Sequence, residues 1–265
     1  IARAGNVADI LGVTVRETEV SAGEPLFVEG TWLPLQWTEE PLAVFVHLVD
    51  EAGVLVAQRD TWPGLGRAPT TSWRAGVPFS DIYRVDLPDT VYTPNELTVH
   101  VGLYGATVGR IPIACGDDFP VDSWGVGSVR VAASEGIWAN SVDISFEDQL
   151  WLVGYEVTPR ILEPGKSFTL TTVWRVPDPA SPDLHLFAQV FDAQWRVWGS
   201  KDGGHPDWAT GYVTDTRQIV LIPETPPGTY PVNVGVLSLG QRLNVLGENG
   251  RPAADYVALG PIRVR

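Results

Sequence analysis

Short runs in which apolar and polar residues alternate recur along the chain, and turn-forming residues separate them. Two residues per period is typical of a strand with one buried face. No segment keeps an apolar period of 3.6 residues, so we expect almost no helix. In the first half the pattern predicts strands over residues 10–16, 26–32, 42–49, 54–59, 81–87, 97–104, 110–113 and 127–131.

The stretch 42–73 is the key to the organisation of the chain, because its sequence pattern is repeated at 184–208. It contains two predicted strands joined by an acidic turn with glycine, as hairpins favour, and then a loop rich in Pro and Gly. Its landmarks, and those before it, have partners 142 residues later: Gly12 and Gly154, Gly23 and Gly165, Trp32 and Trp174, Phe45 and Phe187, Asp50 and Asp192, Asp60 and Asp202. After Asp60 the offset drifts to between 132 and 135, so insertions and deletions fall in loops.

The repeat predicts the fold class and the domains. We predict an all-β protein of two tandem immunoglobulin-like antiparallel β-sandwich domains that arose by internal duplication, since two copies are too few for a solenoid. Domain 1 covers residues 1–132, a linker and lead-in strand cover 133–148, and domain 2 covers 149–265. Trp32 and Trp174 stand at the same place in each copy and are predicted to anchor the two cores.

Composition and charge exclude several classes of function. With 44% hydrophobic and 19% charged residues, the chain can form globular cores. Its net charge of −14 argues against binding to nucleic acid or to anionic lipid. A single cysteine allows no intrachain disulfide. The chain has no methionine, apolar run of membrane-spanning length or signal-peptide pattern, so we expect a processed protein or a piece of a longer one.

The motifs of common enzymes are missing from the sequence. It has no G-x-S-x-G, H-E-x-x-H or P-loop motif and no Cys/His metal spacing. Asp50, Asp60, Asp192 and Asp202 could be paired acids or metal ligands, but their repetition in both copies favours capping of turns. The oxygen-rich turns 116–122 and 248–255 could suit calcium, although their spacing fits no EF-hand loop. We therefore predict no catalytic residue, no metal and no cofactor.

Aromatic side chains beside acids in predicted loops indicate carbohydrate binding, because sugars stack their C–H faces on rings and bond their hydroxyls to carboxylates. The candidate glycan-binding residues are Asp60, Trp62, Trp73, Trp195, Trp198, Asp202 and Trp208, with Asp207 beside the last. Trp73 and Trp208 match between the copies, which favours the alternative that they cover open ends of the sandwiches. Trp62, Trp195 and Trp198 are unmatched and are the better candidates for exposed rings.

The repeated landmarks resemble those of a known group of modules. They are similar to the β-sandwich modules at the C-terminal, extracytoplasmic ends of family-39-like membrane glycosyltransferases and of related surface proteins in green non-sulfur bacteria. In the first copy the resemblance includes Gly12, Gly23, Trp32, Phe45, Asp50, Asp60, Pro63, Pro69, Thr70, Trp73, Asp81, Gly102, Tyr104 and Arg110. In the second it includes Leu152, Gly154, Tyr155, Pro164, Gly165, Trp174, Phe187, Asp192, Asp202, Trp208, Gly235 and Arg242.

The resemblance implies a non-catalytic, extracytoplasmic accessory module that recognises glycan or positions an envelope glycosyltransferase. Its implied location is the cell surface, or a membrane to which a segment absent from this sequence attaches it. The implied partners are a carbohydrate or envelope polymer, an attached membrane domain or a second copy. Nucleic acid is not expected as a partner, because of the net negative charge. The alternative is a structural or adhesive surface protein whose sandwiches are spacers and assembly contacts.

Overall fold

The computed structural model describes residues 1–116, 118–176, 183–203, 208–247 and 249–265, which form two compact units. Unit 1 comprises Ile1–Pro88 and Asn95–Ala132, and unit 2 comprises Asp89–Pro94 and Ala133–Arg265. The chain therefore changes unit after Ala132, where the predicted linker begins. Residues 89–94, which the sequence analysis assigns to domain 1, instead belong to unit 2.

Unit 1 consists of two β-sheets. Its strands are β1 (Ala2–Ala4), β2 (Ala8–Val15), β3 (Glu19–Val20), β4 (Pro25–Pro34), β5 (Ala43–Asp50), β6 (Leu55–Thr61), β7 (Phe79–Asp86), β8 (Asn95–Gly105), β9 (Gly109–Arg110), β10 (Ile113–Ala114) and β11 (Trp124–Val131). One sheet has the order β10-β1-β2-β4-β7, and the other has the order β3-β11-β8-β5-β6, with β9 paired to β8.

Unit 2 repeats this arrangement. Its strands are β12 (Ser141–Phe146), β13 (Leu150–Thr158), β14 (Ile161–Leu162), β15 (Ser167–Val176), β16 (Leu184–Phe191), β17 (Val197–Asp202), β18 (Gly211–Val220), β19 (Gly228–Ser238), β20 (Gln241–Arg242), β21 (Val245–Leu246), β22 (Pro252–Ala254) and β23 (Val257–Val264). The sheets have the orders β18-β15-β13-β12-β21-β22 and β14-β23-β19-β16-β17, with β20 paired to β19. Except for β22, each strand of unit 2 has a counterpart in unit 1, so the structure confirms the predicted all-β duplication.

Among the described residues, the strand pairing is antiparallel, as predicted, with one exception in each unit. The short strands β3 and β14 run parallel to β11 and β23. In both units the chain leaves one sheet after its first long strand, β2 or β13, and then joins the edge of the other sheet. This short strand covers an edge that would otherwise expose unpaired backbone groups.

The two predicted core tryptophans are buried as expected. Trp32 is 1% exposed and Trp174 is 0% exposed. The Trp32 indole N–H donates to the Tyr83 hydroxyl over 3.0 Å, and that of Trp174 donates to Thr172 Oγ1 over 2.8 Å. Because both indole donors are satisfied, the rings stabilise the cores by about 2–3 kcal/mol each through burial of apolar area.

Helical structure is limited to two short 3-10 turns in the part of the chain that the structure describes. They span Pro63–Gly66 and Thr70–Ser72, in the loop between β6 and β7. Within the same residues, no helix has the length and apolar character that crossing a bilayer requires.

Residues 89–94 are packed into unit 2. The Tyr92 ring meets that of Tyr155 edge to face, with centroids 5.5 Å apart, and the Arg160 guanidinium lies 3.9 Å from the Tyr92 centroid. The Tyr155 hydroxyl donates to the carbonyl of Thr90, whose own hydroxyl donates to the carbonyl of Ala258 over 2.6 Å. This segment is therefore a structural part of unit 2.

Candidate functional site

Trp73 and Trp208 extend the cores of their units. Trp73 is 6% exposed, its centroid lies 6.5 Å from that of Trp32, and its N–H donates to the carbonyl of Ala68 over 2.9 Å. Trp208 meets Trp174 edge to face at 6.3 Å and donates to the carbonyl of Leu184 over 3.1 Å. The interpretation that these matched rings cover the sandwiches agrees with this packing, and neither is an open platform.

Trp198 is buried, so the prediction that it is exposed is wrong. It is 3% exposed, and its N–H donates to Asp192 Oδ2 over 2.9 Å. The Arg196 guanidinium covers the ring at 4.1 Å from its centroid. The physical reason is the tight turn before β17, since a carboxylate at its start satisfies the indole N–H and draws the ring inward.

The four repeated aspartates divide into two kinds. Asp50 and Asp192 cap turns, as predicted: Asp50 Oδ1 accepts from Val54 N–H at 2.8 Å, and Asp192 Oδ1 accepts from two backbone N–H groups. These hydrogen bonds, led by that from Arg196 N–H, lower the pKa of Asp192.

Within the described residues, no turn N–H donates to Asp60 or Asp202, and the two lie opposite Phe45 and Phe187 in the sheets. Asp60 contacts His47 Nε2 at 3.2 Å. Asp202 Oδ2 accepts from Gln189 Nε2 at 2.9 Å. For these two, the interpretation as turn caps is therefore wrong, because their side chains pair across strands.

Trp62 and Trp195 are exposed, as predicted, with 56% and 67% of their surface accessible. Trp195 stacks on Phe191, with centroids 4.9 Å apart and an interplanar angle of 24°. Tyr256 meets both rings edge to face, at 5.5 Å from Phe191 and 6.3 Å from Trp195. We call Phe191, Trp195 and Tyr256 the aromatic cluster; it is a solvent-facing group of rings in unit 2.

The backbone of Trp195 has an unusual conformation for a large residue. Its φ is 63°, and Gly53, 142 residues earlier, has a φ of 72° in the equivalent turn. In both turns the N–H donates to the aspartate carbonyl three residues before, over 3.0 Å to Asp192 and 2.8 Å to Asp50. Glycine adopts this region freely, whereas a side chain with a bulky ring is strained there, and such strain concentrates at functional positions.

Polar pairs continue the surface that begins at the aromatic cluster. Phe187, Gln189 and Phe191 alternate with core residues of β16 and so share the outer face of their sheet. Arg242 lies over the Phe187 ring at 4.6 Å from its centroid and donates to Asp255 Oδ2 over 3.0 Å. We call this surface, with the aromatic cluster and the Gln189–Asp202 and Arg242–Asp255 pairs, the unit 2 outer face.

A glycine makes this arrangement possible in each unit. Gly235 lies opposite Phe187, and a Cβ built there would be 2.2 Å from the Phe187 ζ carbon. Gly102 has the same relation to Phe45, with the same distance of 2.2 Å. The phenylalanine ring thus lies flat on the neighbouring strand.

The equivalent face of unit 1 carries different chemistry. Arg110 covers Phe45 at 4.7 Å, but histidines pair with Asp60 and Ser123: His47 Nε2 lies 3.2 Å from Asp60, and His100 Nδ1 lies 3.3 Å from Ser123 Oγ. Burial lowers the pKa of His47, against the opposing effect of Asp60, and burial followed by Arg110 lowers that of His100. Both rings are therefore neutral at pH 7.

Sequence reasoning missed two members of the aromatic cluster, Phe191 and Tyr256. They are 65 residues apart in sequence and meet only through sheet pairing. One signal was available, because a tryptophan replaces glycine in an otherwise matched turn.

Among the described residues, no three His, Cys, Asp or Glu side chains are placed to hold a metal ion. In the two proposed calcium turns, Asp255 pairs with Arg242, and Asn249 Oδ1 accepts from Arg251 N–H over 2.9 Å. Asp117 and Glu248 of those turns, and the predicted site residue Asp207, lie outside the residues that the structure describes.

Comparisons with known proteins give no family. No family model matches the chain, and no curated protein matches it. Among solved structures, a mutant of alpha-2-macroglobulin from Salmonella is similar, with 13% identity and a TM-score of 0.28 over 99% of this chain and 16% of that one. At that score the likeness supports no argument about function, and the fold assignment rests on the strand pairing described above.

Proposed function

We propose that the chain is a non-catalytic glycan-recognition module that binds carbohydrate on the unit 2 outer face. The observation that carries the proposal is Trp195, a ring that is 67% exposed and held in a backbone conformation where the other copy has glycine. Because Phe191 stacks under one face of this ring, the opposite face is available to a ligand. Sugars stack on such rings, and the nearby carboxylate, amide and guanidinium groups can bond to their hydroxyls.

The polar pairs beside the aromatic cluster also support binding. On the unit 2 outer face, Asp202 and Asp255 bond to amide and guanidinium groups, an arrangement that suits recognition of hydroxyls.

The proposal extends to location and partners through the resemblance of the repeated landmarks. We propose that the module is extracytoplasmic, is linked to the cell surface or membrane by a further segment, and recognises an envelope polymer or positions an envelope glycosyltransferase. The alternative role, a spacer or adhesive surface protein, is the outcome that a lack of glycan binding would favour.

The test is a glycan-array screen of the wild type beside Trp195→Gly. This variant recreates the turn found at Gly53, so the fold is expected to persist while the stacking surface is lost. We expect specific glycan binding that weakens by about tenfold or more, the equivalent of about 1.4 kcal/mol.

The matched control is Trp62→Ala, which removes an exposed ring from unit 1 and should leave binding to the unit 2 outer face unchanged. Glycan binding that survives Trp195→Gly would overturn the assignment of this face. Absence of binding in a folded wild type would overturn glycan recognition itself.

A further inference from the structure

A second candidate site is a cavity of about 580 Å³ in unit 1. The loop between β4 and β5 and the turn between β8 and β9 form its walls. Val7, Leu42 and Ile111 contribute apolar surface, while Trp37 and Glu39 lie on the loop. The volume suits a small ligand of one or two rings.

The loop that carries Trp37 is fixed from within by buried Thr70. The hydroxyl of Thr70, which is 0% exposed, lies 2.6 Å from Thr38 Oγ1 and accepts from Leu42 N–H over 2.9 Å. Glu40 fixes the other wall, since its carboxylate accepts from Val108 N–H at 3.0 Å. The wall is therefore preformed.

Trp37 stays exposed on this fixed loop. It is 62% accessible to solvent, although an apolar wall lies close by in the same cavity. A ring held in water by a rigid loop contributes little to the core, but it offers a stacking surface that loses little entropy on binding. Trp37 is therefore placed to contact a ligand.

The negative charge of the cavity favours a cationic ligand. Its lining contains Glu39 and Glu40 and neither lysine nor arginine. Hydrogen bonds from the Thr107 side chain and Val108 N–H lower the pKa of Glu40, so this carboxylate is ionised at neutral pH. An ammonium group is attracted both to carboxylates and to the face of an indole ring.

We propose that this cavity binds a small ligand that carries an ammonium group beside a C–H face, such as an amino sugar or a choline group. The site is separate from the unit 2 outer face and uses residues that the glycan proposal does not. Trp37 supplies the ring face, and Glu39 and Glu40 supply the negative charge.

The test uses the full chain and follows the Trp37 indole N–H by NMR, with the resonance assigned from its loss in Trp37→Phe. Glucosamine and choline are titrated separately, each beside a neutral analogue, N-acetylglucosamine and 3,3-dimethylbutanol. We expect a saturable millimolar shift with one or both cationic ligands and at least about tenfold weaker binding of the neutral analogue. The two titrations distinguish an amino sugar from a quaternary ammonium source.

Variants test whether binding depends on the residues of this cavity rather than on other exposed tryptophans. Trp37→Ala, followed by calorimetry, should abolish binding, and Glu39→Gln should weaken it several-fold without disturbing the hydrogen bonds of Glu40. Trp62→Ala and Trp195→Gly should leave it unchanged, so failure here is distinguishable from failure of the glycan proposal. Equal binding of charged and neutral ligands, or no saturable shift with either cation, would overturn the inference.

Discussion

At position 195 a tryptophan adopts the backbone conformation that a glycine adopts at position 53. Substitution of Gly53 by tryptophan would measure the free-energy cost of a large side chain in this backbone conformation. Gly53→Trp is expected to destabilise unit 1 by about 1–3 kcal/mol, because a large side chain is costly at positive φ. Gly53→Asn should cost less, since asparagine tolerates this region. Urea unfolding followed by NMR signals of unit 1 would check both, and equal stability of the two variants would contradict the strain argument.

Gly102 and Gly235 are predicted to tolerate no side chain. Alanine at either position would place its Cβ 2.2 Å from a buried phenylalanine ring. We expect a loss of about 2–4 kcal/mol, because the ring must leave its place or the strands must part. Gly12→Ala is the control, since nothing lies within 4 Å of its built Cβ. Chemical denaturation would measure the difference, and a neutral Gly102→Ala would refute the packing described.

At the scale of elements, the sequence best predicted the strands that have one buried face and one solvent-exposed face. In β7, Tyr83 and Val85 are buried while Ile82 is 48% exposed, which is the alternation read from the sequence. By contrast, β1 has three residues and β3 has two, too few to show a period. Their pairing depends on the sheets that receive them, and this information is not local.

The two histidines on the outer face of unit 1 also predict that the stability of this unit depends on pH. Because burial lowers the pKa of His47 and His100, the unfolded chain, with histidine pKa values of about 6.5, binds more protons than the folded unit near pH 6. The stability of unit 1 should therefore fall as the pH drops through about 6.5. The fall should continue until the lowered pKa values of the folded state are passed.

The variant His47→Gln/His100→Asn adopts the residues of unit 2 at the same places, Gln189 and Asn233. It should retain a partner for Asp60 and flatten the stability of unit 1 between about pH 5 and 7. Urea unfolding at several pH values, followed by NMR signals of unit 1, is the measurement. An unchanged pH dependence in the variant would show that other groups cause it.

At the scale of the whole molecule, the duplication was predictable because its landmarks keep one spacing through the first strands of each copy. By contrast, the sequence did not predict that residues 89–94 belong to unit 2, because no pattern in these residues marks them as part of it. Of the candidate site, the sequence predicted Trp195 and Asp202 but not their neighbours Phe191, Gln189, Arg242 and Tyr256. Trp198 shows the limit of such reasoning, since exposure depends on where Asp192 directs its carboxylate.

Residues 89–94 predict a selective effect on unit 2. Tyr92→Ala removes a ring that packs on Tyr155 and under Arg160, so unit 2 should lose about 2–4 kcal/mol. Unit 1 should keep its stability, although the residue lies between two of its strands in sequence. Hydrogen exchange of each unit would measure this, with the exposed Asp89→Ala as the control, and an equal loss in both units would contradict the assignment.

The matched turns at Gly53 and Trp195 also give the two units equivalent positions at which surface side chains can be exchanged. Unit 1 has Val49, Gly53 and Ser123 where unit 2 has the aromatic cluster, and the strands beneath pair in the same order. An exposed aromatic cluster can therefore be gained or lost through three substitutions, while the sheets beneath it keep their strand order. Transplanting the three aromatic residues into unit 1 would place a similar group of rings beside the His47–Asp60 pair, in different polar surroundings.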